Sequence, residues 1–95
     1  MEKEIFYSPH LEFRLKLRKI PRVLPEKIFA SSSEHYFDRE TGLFIAIGRS
    51  VYRKKRRDVA VVYKEAGNDI LLVTIHPLKP GQKENRVQAG RWQKI

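Results

Sequence analysis

The chain has 95 residues, of which 20 are lysine or arginine and 11 are aspartate or glutamate, giving a formal net charge of +9. This length fits one domain, residues 1–95, and leaves no room for a second. The absence of cysteine excludes a disulfide framework and a thiolate metal site. No segment approaches the roughly 20 apolar residues of a membrane helix, and the chain begins with charge rather than a signal peptide's apolar run, so we expect a cytoplasmic protein without a membrane partner.

The excess of positive charge indicates a partner that supplies negative charge. A net charge of +9 exceeds the value of about 2–8 that colloidal stability asks of a small domain, although solubility alone remains an alternative explanation. Nucleic acid, an anionic membrane and an acidic protein all fit the charge. We expect the partner to be RNA.

The first predicted elements are a strand over residues 4–7 and a helix that follows it. Ser8 and Pro9 supply an N-cap and a first-turn proline. Apolar residues then alternate with charged ones over residues 10–18, which is the period of a strand. We favour the helix because the cap is good and most residues there are strong helix formers.

A second helix, three strands and a basic tail complete the prediction. The second helix follows Pro21, over residues 22–33, and a polar turn over residues 38–42 leads into the strands. Antiparallel strands are predicted over residues 43–47, 59–63 and 70–75, and a short helix over residues 82–89 of the tail. The predicted fold class is therefore α+β: a strand, two helices, a three-stranded antiparallel sheet and a basic C-terminal tail or short helix.

The first predicted binding surface is a basic turn between the first two strands of that sheet. Its five consecutive cations are Arg53, Lys54, Lys55, Arg56 and Arg57. At a hairpin tip such charges can reach a phosphate backbone. The alternative is a solvated turn that protects the sheet edge from aggregation.

The tail and one histidine are the other candidates. Arg91 and Trp92 place a cation beside an aromatic ring, as single-stranded RNA binding requires, although Trp92 could equally anchor the tail in the core. His76 ends a predicted strand just before the basic tail, where an imidazole could move protons, or could simply cap the sheet through a hydrogen bond. The sequence predicts no metal site and no cofactor.

The order of elements resembles the RelE/ParE-like toxin superfamily, with a closer likeness to its BrnT-like and related members. The segments that carry the resemblance are residues 8–14, residues 36–38 with Thr41 and Gly42, residues 61–63 and residues 73–77. The resemblance implies an α+β fold, a metal-independent endoribonuclease of a toxin–antitoxin system, and an acidic antitoxin as partner.

In such toxins, cations near the sheet and the C-terminal element stabilise the phosphate transition state, sometimes with a tyrosine or a histidine. The corresponding catalytic candidates are Arg49, Tyr63, His76, Lys79 and Arg86. Two alternatives remain: a non-catalytic RNA- or ribosome-binding module on the same surface, and an adaptor whose basic face meets an acidic protein.

Overall fold

One mixed sheet forms the centre of the protein, and helices lie against it. The computed structural model describes residues 3–95. Its elements are β1 (Ile5–Tyr7), α1 (Pro9–Arg18), α2 (Leu24–Ser31), β2 (Glu34–Asp38), β3 (Phe44–Tyr52), β4 (Lys55–Ala66), β5 (Asp69–Pro77), α3 (Gln82–Gln88) and β6 (Trp92–Lys94). The α+β class is confirmed, whereas the prediction of two helices and a three-stranded antiparallel sheet is wrong.

The sheet has six strands in the order β1-β5-β4-β3-β2-β6. The three predicted strands form its centre as β3, β4 and β5, and each pairs antiparallel with the next. β1 pairs parallel with β5 over only three residues, from Ile5 opposite Ile70 to Tyr7 opposite Leu72. Beyond Leu72, no strand within residues 3–95 pairs with that edge of β5.

Ser8 lies between β1 and α1 and is the N-cap of α1. Its Oγ accepts a hydrogen bond from the Leu11 amide at 3.0 Å and donates one to the Val73 carbonyl at 2.6 Å. The helix prediction is thus confirmed, with the predicted cap. Only Leu11 and Leu15 of the alternating apolar residues are buried, because they lie four positions apart on one helix face.

The sheet buries a separate core on each face. On the face under α1 and α2, here called the helix face, Val61 and Ile75 of the sheet pack in one core with Leu11 and Ile28 of the helices. Gly48 of β3 lies on this face, because a Cβ there would be 3.0 Å from Ile28 Cγ2. The opposite face, here called the tail face, has a smaller core. Its buried members are Tyr36, Ile45, Ile47, Ala60, Val62, Leu78 and Trp92.

Two strands were not predicted, and both lie at the same edge of the sheet. β2 pairs with β3, and β6 adds to β2 from Tyr36 opposite Lys94 to Asp38 opposite Trp92. Asp38 is 2% exposed and accepts hydrogen bonds from Arg91 Nε at 3.0 Å and Nη2 at 3.1 Å. The C-terminal tail is therefore part of the sheet and not only a basic appendage.

The basic segment is a shorter turn than predicted. Only Arg53 and Lys54 form the turn, both with positive φ, at 52° and 66°, while residues 55–57 begin β4. Such backbone is uncommon for residues other than glycine. The predicted tail helix is present as α3, and none of the helices within residues 3–95 is long and apolar enough to cross a membrane.

Candidate nucleic-acid interface

The β3–β4 hairpin projects cations from one end of the sheet. Residues 53–56 are exposed and Arg57 is partly buried. Cross-strand register pairs Arg56 with Val51, and Arg57 with Ser50. Because strand side chains alternate between faces, Arg56 lies on the tail face and Arg57 on the helix face. The hairpin therefore offers positive charge on both sides of the sheet.

A first cleft, here called the tyrosine cleft, opens on the helix face between α1 and the hairpin. It has a volume of about 140 Å³. Tyr52 lines it, and the Cζ atoms of Arg53 and Arg57 lie 5.4 and 5.8 Å from the centre of its ring. Hydrogen bonding from Arg18, followed by the charge of Arg53, lowers the pKa of the Tyr52 hydroxyl below its ordinary value of 10.0. The cleft is thus strongly positive around one phenol.

A second cleft, here called the lysine cleft, lies on the tail side of the same end of the sheet. Its volume is about 180 Å³, and its charged lining is Arg49, Arg56, Arg57, Lys79 and a single acid, Asp58. Arg49 Nη1 donates a hydrogen bond to Asp58 Oδ1 at 3.2 Å. The buried Nε of Arg57 has no hydrogen-bond partner among residues 3–95. Positive charge therefore exceeds negative charge in this cleft too.

His76 lies near the end of β5, on the tail face of the sheet, because it is directly opposite Ala60 of the tail-face core. It is partly buried and pairs with Ala60 across the sheet, whereas β1 has ended four residues earlier along β5. Burial lowers the pKa of His76 below its ordinary value of 6.5, and the charges of Arg86, Arg14 and Arg18 lower it further. The imidazole is therefore neutral at pH 7, which is the form that accepts a proton.

Arg86 and Lys79, two of the predicted catalytic candidates, make different contacts. Arg86 of α3 acts electrostatically on His76, and its Cζ lies 5.3 Å from the centre of the Trp92 ring. Lys79 lines the lysine cleft with Arg49. Of the predicted catalytic candidates, Arg49 and Lys79 therefore share one cleft, and the charge of Arg86 acts on His76.

Tyr63 lies elsewhere, within the aromatic part of the helix-face core. It is 7% exposed, its hydroxyl is 2.8 Å from His35 Nδ1, and its ring contacts Phe29 and Phe44. Burial raises the pKa of the Tyr63 hydroxyl above 10.0. These contacts give Tyr63 a structural role, distant along β4 from the hairpin.

Two of the predicted RNA-binding residues, Arg91 and Trp92, make contacts within the protein. Trp92 is 1% exposed, so its ring cannot stack on a base here, and the alternative role of core anchor fits the structure. Arg91 is paired with Asp38 and also lies 3.4 Å from Glu40 Oε2. Its charge is therefore largely neutralised within the protein.

Sequence reasoning missed Tyr52 as a site residue, and it placed Arg14 and Arg18 only in a basic set on the polar face of the first helix. The signal for Tyr52 was its position directly before the basic run. It also lies on the same face of β3 as Gly48 and Ser50, because side chains two residues apart in a strand share a face. Arg14 and Arg18 lie one helical turn apart on α1. The charge near His76 thus comes from both ends of the chain, which no local motif reveals.

The comparisons with known proteins leave the site to be interpreted from its own geometry. The chain matches no protein-family model, no curated protein and no solved structure. Within residues 3–95, no group of three histidine, aspartate or glutamate side chains is arranged to hold a metal ion. The groups that this end of the sheet brings together are its cations, the imidazole of His76 and the phenol of Tyr52.

Proposed function

We propose that this protein binds RNA at the hairpin end of its sheet and cleaves it as a metal-independent endoribonuclease. The observation that carries the proposal is His76, a partly buried imidazole whose pKa is lowered by burial and by nearby arginines, at the end of the sheet that also carries two positively charged clefts. Cations there attract the phosphate backbone, and a neutral imidazole can accept a proton.

The proposed reaction is an internal transfer at phosphorus. His76 takes the proton of the ribose 2′-hydroxyl, and the 2′-oxygen forms a bond to phosphorus while the bond to the 5′-oxygen breaks. Water supplies the proton that the leaving 5′-oxygen needs, and a 2′,3′-cyclic phosphate remains. Arg86 and Arg18 stabilise the negative charge that accumulates on the phosphoryl oxygens, which is commonly the largest catalytic contribution.

The proposal includes a toxin role with an acidic antitoxin, as the resemblance to RelE/ParE-like toxins implies. A formal charge of +9 on 95 residues supports a partner of opposite charge. Such a partner would cover the same cations that RNA needs, so it would inhibit as well as bind. Recovery of a small acidic protein in stoichiometric amounts with the chain from its native host would support this role.

The test of cleavage is substitution of His76. We expect His76→Ala to lower the rate of RNA cleavage about 10²–10⁴-fold, the usual contribution of general acid–base catalysis, with RNA affinity almost unchanged. His10→Ala is the matched control, because His10 is exposed at the start of α1. The wild-type rate should rise with pH and level off below 6.5, since the pKa of His76 is lowered from that value.

The two variants also separate the proposal from the non-catalytic alternative. Full cleavage by the His76→Ala protein would contradict the role of the imidazole. RNA binding without cleavage by the wild type, in the presence of EDTA, would instead identify an RNA- or ribosome-binding module that uses the same basic surface.

A further inference from the structure

The tyrosine cleft combines an apolar floor with a cationic rim. Its floor is formed by Ile20, Leu24, Val59, Ile75 and Pro77, and its rim carries Arg18, Lys19 and Arg53. A volume of about 140 Å³ is well below the roughly 300–1,000 Å³ of pockets for drug-sized ligands. The cleft therefore suits one small flat group with a negative charge at its edge.

The charge around the cleft has no counterpart inside the protein. Arg18, Arg53 and Arg57 surround Tyr52, yet none of the three forms an ion pair with an acidic side chain of residues 3–95. Four other cations of residues 3–95, Arg22, Arg49, Lys83 and Arg91, do form ion pairs with acids. Three guanidinium groups held close together without an acid favour an external anion.

We propose that the tyrosine cleft is a nucleotide subsite, which takes one unstacked base of the RNA on its apolar floor and that nucleotide's phosphate at Arg18, Arg53 and the Tyr52 hydroxyl. The inference rests on the proposed RNA function and adds to it a site that holds one base. Single-stranded RNA presents such bases, which proteins bind on apolar, aromatic and guanidinium surfaces. The phenol hydroxyl donates a hydrogen bond to a phosphate oxygen, and the guanidinium groups supply charge.

The other anionic ligands fit the cleft less well. An inorganic phosphate would use the rim and leave the apolar floor empty. An acidic peptide would need a longer groove than one of about 140 Å³. The lysine cleft, by contrast, has only Leu78 and Pro80 as apolar lining beside its charged residues, so it suits a phosphate without its base.

Titration with mononucleotides tests the subsite without any need for cleavage. The probes are adenosine 5′-monophosphate, adenosine and inorganic phosphate, and binding is followed by amide chemical shifts in NMR spectra of the full chain. We expect the nucleotide to bind about tenfold or more tightly than phosphate, since contact with a base commonly adds that much. The shifts should cluster at residues 50–53 and at the end of α1.

Three variants locate the binding within the cleft. Arg53→Gln and Tyr52→Phe should each weaken nucleotide binding at least about fivefold, because each removes a hydrogen bond to a charged group. Ser50→Leu should fill the floor, since Ser50 lines the cleft, and should abolish the preference for nucleotide over phosphate. Arg39→Gln is the matched control, as Arg39 is exposed at the opposite end of the sheet.

The outcomes distinguish this inference from the proposed function. Equal affinity for nucleotide and phosphate, or unchanged nucleotide affinity in both Arg53→Gln and Tyr52→Phe, would overturn the subsite even in a protein that cleaves RNA. Nucleotide binding that these variants weaken would uphold the subsite, and the His76→Ala assay would then decide cleavage separately.

Discussion

Neutralising two hairpin cations should weaken RNA binding by an amount that the structure allows to be calculated. Lys54 and Arg56 are exposed, and neither forms an ion pair with an acid of residues 3–95. Both are thus free to contact phosphates. Each phosphate contact with a single strand contributes about 0.7 to the slope of log affinity against log salt. The double variant Lys54→Gln/Arg56→Gln should therefore reduce the slope by about 1.4 and the affinity at 0.15 M salt by about tenfold.

The assay is fluorescence anisotropy with a labelled single-stranded RNA over a series of salt concentrations. Arg39→Gln/Lys64→Gln is the control, because it removes the same charge from exposed positions at the other end of the sheet. If both double variants lose the same slope and affinity, general charge and not the hairpin attracts the RNA. An unchanged slope in the hairpin variant would refute the role of the hairpin altogether.

Three further substitutions test individual contacts. Arg86→Gln should weaken RNA binding and cleavage, and should raise the pKa of His76 in an NMR titration, because the positive charge of Arg86 disfavours the imidazolium. Ser8→Ala should lower the free energy of unfolding by about 2–3 kcal/mol in urea, since a helix cap and a partly buried hydrogen bond to the Val73 carbonyl are both lost. Burial raises the pKa of Asp38, but hydrogen bonds from Arg91 outweigh it and the net pKa is lowered. The stability that this ion pair contributes should therefore be present above about pH 4 and be lost as the pH falls further. Asp38→Asn should remove that pH dependence of the free energy of unfolding.

The elements with strong local signals could be predicted from the sequence. Ser8 and Pro9 fixed the start of α1, and Gly67 lies at the tight turn between β4 and β5, with a φ of 64°. β2 was missed because its sequence, Glu34–Asp38, is largely polar and becomes a strand only by pairing on both sides. β6 was missed because it has only three residues, of which Trp92 alone is buried.

The candidate site was partly within reach of sequence reasoning. His76 could be placed at the end of a strand because the apolar run stops there. The surroundings of His76 could not be predicted. They depend on a β1 that is too short to pair with β5 beyond Leu72, and on Arg14 and Arg18 of α1, whose charges act on His76. Tyr52 was missed because β3 was predicted to end at Ile47, five residues too early.

The separation of the two cores has a consequence for how the protein opens. The tail-face core is closed by the C-terminal segment, which is held by the three pairs of β6, the buried Trp92 ring and the ion pair of Arg91 with Asp38. The helix-face core includes none of these residues. Residues 79–95 can therefore detach as a unit while β1, α1 and β5 stay folded. The amide protons of residues 79–95 should then exchange with solvent before those of the central strands. Trp92 is the only tryptophan, so its fluorescence follows that local opening, whereas circular dichroism follows the whole sheet.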